Sequence, residues 1–224
     1  MPAVDPLLLA IDTSTEVAGL ALYDGDRISE MTWAAGRNQT ATVLGEIQRL
    51  LAMNGRQARD VAAVGVATGP GSFNGLRVGM SVAKGLALGF GLPLVGVVTL
   101  DAVAYPHARA RMPIRAFVAA GRGRVVYADY RHRNGRWVRQ SEMRNAVLDQ
   151  LAEGLTERTI LVGEVPVDSA ERLEEHALVT LPSPALRLRR PSYLAEIAYR
   201  RWQQGDVDRL EALEPVYVHG GAST

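Results

Sequence analysis

Between residues 7 and 98, apolar segments follow one another in an order that only a mixed sheet covered by helices can accommodate. Leu7–Ile11 is a continuous apolar run, as in a strand buried on both faces. Val17–Tyr23 and Arg27–Ala34 are further strand patterns, joined by an Asp-Gly turn that favours a hairpin. Helical patterns then separate the strands predicted at Val61–Thr68 and Leu94–Val98, and strands connected through helices are parallel. This order predicts a meander of three strands extended by two parallel ones.

The second half of the chain repeats this plan after a proline-containing boundary at residues 105–113. Its strands are predicted at Ile114–Ala119, Val125–Tyr130, Trp137–Gln140, Thr159–Val162 and Leu178–Leu181. Its helices are predicted at Ala146–Leu155, Asp168–His176 and Ser192–Gln203, the last with Ser192 as N-cap. We expect an α/β protein of two similar lobes, residues 1–104 and 105–224, each a mixed sheet flanked by helices. The sequence leaves open whether the last helix packs back on the first lobe.

Composition removes several kinds of site. The chain has no cysteine, which excludes disulfides, thiolate zinc sites and iron–sulfur clusters, and its four histidines are widely spaced. We therefore expect no metal site. Residues 78–100 are long enough to span a membrane, but five glycines, Pro93 and Lys84 argue against a span. With no basic segment ahead of the short apolar run at the N-terminus, we expect a cytoplasmic protein.

A polar tetrapeptide, Asp12-Thr13-Ser14-Thr15, directly follows the first buried strand. An aspartate with hydroxyls in a tight turn can position a magnesium-bound water and hydrogen-bond phosphate oxygens. Asp12, Thr13 and Ser14 are therefore candidate phosphate or nucleotide contacts, although a turn that satisfies its own backbone explains the same residues. No catalytic residue is predicted, because no base can be identified beside Ser14 or Ser72.

A glycine-rich segment, GPGSFNGLRVG at residues 69–79, connects a predicted strand to a helix expected at Arg77–Leu88. Glycines free the backbone for positive φ and for close approach by another group, and the amides of a helix N-terminus suit an anion. The segment lacks the lysine of a P-loop and the spacing of a dinucleotide-binding loop. Tight packing of loop and helix is the alternative explanation. The candidate loop residues are Gly69, Gly71, Ser72, Asn74 and Gly75.

Two helices of the first half carry little charge. One is predicted at Thr40–Met53 and the other, Arg77–Leu88, is rich in glycine, alanine and serine, so that another helix could approach it closely. Either the second helix is wholly interior or the pair forms a protein interface. We expect Gly85→Arg or Ala83→Glu to disrupt assembly without unfolding the chain. The predicted interface residues are Val43, Ile47, Leu50, Val78, Ser81, Val82, Gly85 and Gly89.

Positive charge is concentrated in the second half. Residues 109–139 contain nine arginines and one acid, Asp129, whereas the first 104 residues have seven basic and nine acidic side chains. Such a run could follow a phosphate backbone, but a solvated face of exposed strands explains it as well and is favoured, because aromatic side chains that could stack on bases are few.

The segments LAIDTST (residues 9–15) and GPGSFNGLRVG, followed by a small-residue helix and LPLVGV, resemble the TsaB family, also called YeaZ. The similarity is strong over residues 7–104 and continues in layout to PVYV at residues 215–218. TsaB proteins are needed for the threonylcarbamoyladenosine modification at position 37 of transfer RNAs. The resemblance implies an actin-like, sugar-kinase-like fold of two α/β lobes.

The resemblance also implies a non-catalytic role. Family members pair with TsaD, the paralogue that transfers the threonylcarbamoyl group, and with the ATPase TsaE, and they form homodimers when the partner is absent. Pairing uses two helices that correspond here to Asn38–Met53 and Arg77–Leu88. A cofactor of the chain's own is not implied, although Mg-ATP in the assembled complex is, and tRNA is reached through that complex.

Three positions depart from the family pattern. Asn74 replaces the usual threonine, Asn38-Gln39-Thr40 lacks a histidine that is common there, and Ala119-Ala120-Gly121-Arg122 stands where Asp-Ala-Arg is usual. Any ligand contact made through that aspartate is in doubt in this chain.

Two other functions stay open. An independent transferase or protease is disfavoured, because the paralogue holds its metal through paired histidines on its first helix and this chain has none there. A nucleotide-binding module or small-molecule kinase of the same superfold is the main alternative, but Gly163-Glu164 is a poor match to an adenosine loop, and Ala119-Ala120 stands where a catalytic acid is expected.

Overall fold

The computed structural model describes residues 6–35, 39–121, 123–133 and 136–218. The chain divides into two compact units. The first contains the described residues up to Thr99 together with Arg190–Val216, and the second contains Leu100–Arg189. The last helix therefore belongs to the first unit, which is one of the two arrangements that the sequence leaves open.

The first unit contains a five-stranded mixed sheet. Its strands are β1 (Leu7–Asp12), β2 (Val17–Tyr23), β3 (Ile28–Ala34), β4 (Val61–Gly69) and β5 (Leu94–Val98). Their order is β3-β2-β1-β4-β5, with β2 antiparallel to both of its neighbours and β4 parallel to β1 and β5. The predicted meander and the two parallel additions are confirmed.

Two helices pack on one face of this sheet, α1 (Gln39–Met53) and α2 (Phe73–Phe90). Their apolar stripes bury against alternate residues of β1, as expected when one face of a strand meets a helix layer. α2 begins four residues before the predicted start, because the Ser72 hydroxyl accepts a hydrogen bond from the Gly75 amide and caps the helix there. Gly91, in the left-handed conformation, ends it.

The second unit repeats the sheet topology of the first. Its order is β11-β10-β6-β7-β8, with β9 pairing the other end of β7, and β6 lies antiparallel to β7 and parallel to β10. Two similar lobes are thereby confirmed. The strands are β6 (Ile114–Ala119), β7 (Arg124–Arg133), β8 (Arg136–Arg139), β9 (Arg144–Val147), β10 (Thr159–Val162) and β11 (Val179–Thr180); the helices are α3 (Thr99–Ala104), α4 (Val167–Glu174) and α5 (Pro184–Arg187).

The helix predicted at Ala146–Leu155 is wrong. Residues 144–147 form β9 and pair with β7, and Leu148–Gln150 form a single 3-10 turn. Pairing with a neighbouring strand overrides the weak helical pattern of a short segment, a long-range effect that local sequence does not encode. Gly154, at φ 72°, lies in a conformation that a helix interior does not use.

The last helix, α6 (Pro191–Gln203), covers the opposite face of the first sheet. It packs closely because β4 carries a glycine, Gly65, whose missing Cβ would lie 2.7 Å from the Ala198 Cβ. Ser192 is not the N-cap, since Pro191 already begins the helix and the Ser192 amide donates to Glu30 Oε2 at 3.1 Å. The chain then returns along the sheet to Val216, whose amide donates to the Thr68 carbonyl at 2.7 Å.

Across the described ranges, no helix has the length and hydrophobicity of a membrane span. The apolar run at residues 78–100 is divided among α2, β5 and the start of α3.

Candidate functional site

The polar tetrapeptide forms a buried turn between β1 and β2. Asp12 is 1% exposed, and its Oδ1 atom accepts hydrogen bonds from the Ser14 amide at 2.9 Å and the Ser14 hydroxyl at 2.6 Å. The Thr13 hydroxyl donates to the Gly75 carbonyl at 2.7 Å. These bonds satisfy the hydroxyls of Thr13 and Ser14 within the first unit.

The glycine-rich loop packs directly on this turn. The Ser72 amide donates to the Ser14 carbonyl at 2.6 Å. A Cβ added at Gly71 would overlap that carbonyl, and one at Gly79 would overlap the Thr13 hydroxyl. Glycine is therefore required at both positions by close approach to the first turn.

The two sequence motifs thus pack directly against each other, and we call this packing of the Asp12 turn on the glycine-rich loop the closed contact. Asp12, Thr13 and Ser14 are all buried and engaged with one another and with the loop after β4. This geometry favours the alternative considered from sequence, a turn that satisfies its own polar groups, over the predicted phosphate contact.

The remaining loop residues have separate surroundings. Gly69, at φ 110°, donates its amide to the Thr99 hydroxyl at 3.1 Å, and a Cβ there would lie 2.7 Å from the Val216 carbonyl oxygen. Ser72 and Asn74 are exposed at the start of α2, and Gly75 is buried. Asn74, which replaces the usual threonine, therefore changes the surface of the loop and not its packing.

Beyond Arg77, whose guanidinium lies 3.9 Å above the Phe73 ring, the outer face of α2 consists mainly of small residues. Ser81, Gly85 and Gly89 are exposed, and no atom lies within 4 Å of the position that a Cβ would take at either glycine. Val78 and Val82 are half-buried at the edge of this face. Large apolar side chains flank it, with Leu88 75% exposed and Phe73 and Phe90 each 50% exposed.

The prediction for α1 is wrong in its residues. Val43, Ile47 and Leu50 lie in the core of the first unit and are at most 4% exposed, because their 3,4 spacing is the stripe that meets the sheet. Two large apolar side chains of α1 are exposed, Leu44 at 53% and Met53 at 71%, and they lie on opposite flanks of the buried stripe, since nine residues are about two and a half turns. The sequence does not separate Leu44 from the buried stripe, because it stands three residues before Ile47 and seven before Leu51.

Ala83 is also part of the core, with no exposed surface. The expectation that Ala83→Glu would disrupt assembly without unfolding the chain is therefore wrong, since a carboxylate at this position would be buried. Gly85 is exposed and remains suited to that test. We name the exposed residues Leu44, Met53, Phe73, Ser81, Gly85, Leu88, Gly89 and Phe90 the α1–α2 surface.

The second unit contains a cavity of about 630 Å³ beyond the ends of β6 and β10. Apolar side chains form most of its wall. Its two acidic residues have arginine neighbours: Asp149 pairs with Arg172 at 3.0 Å, and Glu164 lies 3.8 Å from Arg189. Ala119 stands at the end of β6, so this strand contributes no acid.

In the ranges that the structure describes, no three histidine, cysteine or acidic side chains come together as metal ligands. Asn38 and Arg122, two of the positions that depart from the family pattern, lie outside the described residues.

Comparison with known proteins identifies related sequences. The family model described as TsaD, tRNA N6-adenosine threonylcarbamoyltransferase, matches residues 33–186. The tRNA threonylcarbamoyladenosine biosynthesis protein TsaB of Escherichia coli is 30% identical over 222 residues, which cover 96% of each chain.

Solved structures support the fold. YeaZ from Pseudomonas aeruginosa superposes with a TM-score of 0.78 at 24% identity, covering 95% of this chain and all of its own. A Bacteroides thetaiotaomicron protein with an actin-like ATPase fold superposes with a TM-score of 0.52 at 9% identity, covering 88% of this chain and 96% of its own. The fold is therefore the two-lobed actin-like superfold that the resemblance implied, and the chain belongs to the TsaB (YeaZ) family.

Proposed function

We propose that this chain is a non-catalytic partner subunit in the threonylcarbamoyladenosine modification of tRNA. It acts by forming a heterodimer with a TsaD-like paralogue and by working with a TsaE-like ATPase. Membership of the TsaB family supports the pathway. The single observation that carries the role of partner is the α1–α2 surface, which exposes large apolar side chains around two glycines.

The shape of this surface suits another helix. The empty space above Gly85 and Gly89 allows a partner backbone to approach closely, and Leu88 and Phe90 stand beside it. Burying one such side chain contributes about 1.5–3 kcal/mol. Large apolar side chains exposed on a helix in this way are typical of a protein interface. A second copy of the chain offers the same surface, and we propose that it forms the homodimer when the paralogue is absent.

The polar residues support a role without catalysis. Thr13 donates its hydroxyl to a backbone carbonyl, and the Ser14 hydroxyl, although it donates to the Asp12 carboxylate, is fully buried in the turn, so neither is placed to attack a substrate. We propose that the chain holds no cofactor of its own and that Mg-ATP acts in the assembled complex.

Co-elution on a sizing column tests this role. Wild-type chain mixed with the folded TsaD-like paralogue is expected to elute as a heterodimer. Gly85→Arg, which fills the open space on α2, is expected to abolish that peak while the circular dichroism spectrum is unchanged. Gln203→Arg introduces the same side chain at an exposed position of α6 and is the matched control. Co-elution of Gly85→Arg, or absence of the peak with wild type, would contradict the proposal.

Nucleotide binding is the second candidate function, and the cavity of the second unit is the observation that favours it. Ligands of α/β sheets bind beyond the carboxyl ends of parallel strands, which is where this cavity lies. Calorimetry of the isolated chain with Mg-ATP separates the two candidates. Binding in the micromolar range would support the nucleotide-binding module, and we expect none.

A further inference from the structure

One face of the second sheet, on β7 and β9, carries several arginines. Arg131 and Arg133 are two residues apart on β7 and therefore share a face. Arg144 on β9 lies directly opposite Tyr127, which is on that same face of β7. All three arginines are exposed. We name them the arginine face.

The acids on this face are already neutralised. Asp129 is held by Arg115, whose Nε and Nη2 atoms donate to its two carboxylate oxygens at 2.7 and 3.1 Å. Glu157 pairs with Arg131. Over the described residues, neither Arg133 nor Arg144 has a carboxylate within ion-pair distance. The face therefore keeps uncompensated positive charge that a bound polyanion would neutralise.

Neutral hydrogen-bonding groups lie beside the charge. Next to Arg131 is a pocket of about 240 Å³ whose walls include Gln140, Ser141 and Thr156, together with the two acids that arginines already pair, Asp129 and Glu157. Contacts to a nucleic-acid backbone come from arginine together with the hydroxyls and amides of such side chains.

We propose that the arginine face binds the phosphate backbone of RNA. Guanidinium groups recognise phosphate in a bidentate manner, and a row of them on one face of a sheet follows a backbone without reading bases. The inference rests on the proposed function for the identity of the RNA, which is then the tRNA that the complex modifies. The second unit thus adds an RNA contact of its own to the partner role of the first.

The test is fluorescence anisotropy of an unmodified tRNA transcript titrated with the full chain, and separately with its heterodimer, at several salt concentrations. The variant Arg133→Gln/Arg144→Gln removes the two arginines without ion pairs. The logarithm of the affinity is expected to fall less steeply with the logarithm of salt, by about 1.5–2 in slope, and binding at low salt is expected to weaken about tenfold or more. The control Arg27→Gln/Arg59→Gln changes two exposed arginines of the first unit, and we expect it to leave the slope unchanged.

Three outcomes would overturn the inference: no tRNA binding by either form, an unchanged slope in the Arg133/Arg144 variant, or equal competition by polyglutamate at matched charge, which would indicate an acidic protein partner. The heterodimer peak on the sizing column reports separately on the proposed function. A variant that still assembles but binds tRNA less tightly supports the inference. A chain that fails to assemble contradicts the proposed function alone, because the isolated chain still tests RNA binding.

Discussion

The two units share one strand order but differ at the carboxyl ends of their central parallel strands. In the first unit, the connections that follow β1 and β4 are packed against each other through Ser14, Gly71 and Ser72. In the second, the connections that follow β6 and β10 border a cavity of about 630 Å³. In each unit the topology places two connections side by side at the carboxyl ends of parallel strands, where ligands of such sheets bind. The size and backbone freedom of the residues after each strand decide whether the two connections pack together or leave a cavity.

The units also differ in what their buried charged groups bind. In the first unit the buried acid Asp12 accepts hydrogen bonds within its own turn, from Ser14. The second unit buries Arg115, which is 7% exposed and donates to Asp129 and to the carbonyls of Leu151 and Glu153. These four hydrogen bonds of Arg115 connect the segment of Leu151 and Glu153 to the sheet. In the first unit, the close packing of Gly71 on the turn after β1 connects the corresponding loop to the sheet.

The largest effect is expected from breaking that arginine network. Arg115→Met should lower the free energy of unfolding of the second unit by about 3–5 kcal/mol, because Asp129 and two carbonyls lose their partner. Chemical denaturation followed by hydrogen exchange measures the loss and locates it. Arg158→Met, at an exposed position of the same unit, is the control. Equal loss in both variants would mean that the network does not hold the second unit together.

The next effect tests the closed contact in the first unit. Gly71→Ala should cost about 2–3 kcal/mol, because its Cβ would overlap the Ser14 carbonyl and weaken the backbone hydrogen bond from Ser72. Thermal denaturation of the variant measures it. An unchanged midpoint would show that the contact is loose and that the first unit resembles the second more than we describe.

A smaller effect of opposite sign is expected on the outer face of α2. Gly85→Ala should raise the free energy of unfolding by about 0.5–1 kcal/mol, because the Cβ meets no other atom and alanine favours the helix. Gly71→Ala and Gly85→Ala make the same chemical change at two glycines of one unit. Their opposite effects on the free energy of unfolding would distinguish a glycine that packing requires from one that lies at an open surface. Destabilisation by Gly85→Ala would show that the face is not open.

The smallest effect concerns pH in the second unit. Burial lowers the pKa of His107 below its ordinary value of 6.5, although the bond to the Leu186 carbonyl acts in the opposite direction. Below pH 6.5 the unfolded chain therefore binds a proton more readily than the folded one, so the stability contributed by neutral His107 is lost as pH falls. Between pH 7.5 and pH 5, the free energy of unfolding of wild type should fall by more than that of His107→Gln. A difference between the two free energies that is independent of pH would contradict burial of this imidazole.

Much of the fold could be predicted from sequence because its strands are long, apolar and separated by clear turns. β2, β5, β6 and β10 match their predicted bounds, and β1 and β4 do so to within one residue. β9 could not be predicted, because its conformation depends on pairing with β7, whose partner residues lie some twenty positions away.

The candidate site was harder to predict. The sequence identified the Asp12 turn and the glycine-rich loop as unusual, but only the structure shows that they contact each other. The apolar stripe of α1 was assigned to the surface because periodicity marks a face without saying what covers it. Leu44 and Leu88, which lie outside the stripes that meet the sheet, are the residues that expose the α1–α2 surface.

Quantifying threonylcarbamoyladenosine in tRNA by mass spectrometry is the most direct test of the central claim, that this chain assists the reaction without performing it. The reaction contains unmodified tRNA, threonylcarbamoyl-adenylate, the TsaD-like paralogue and the TsaE-like ATPase with Mg-ATP. We predict product when wild-type chain is added to that mixture, none from the chain alone, and little from Gly85→Arg, with Gln203→Arg behaving as wild type. Product formed by the chain alone, or full product with a Gly85→Arg variant that no longer binds the paralogue, would contradict the account.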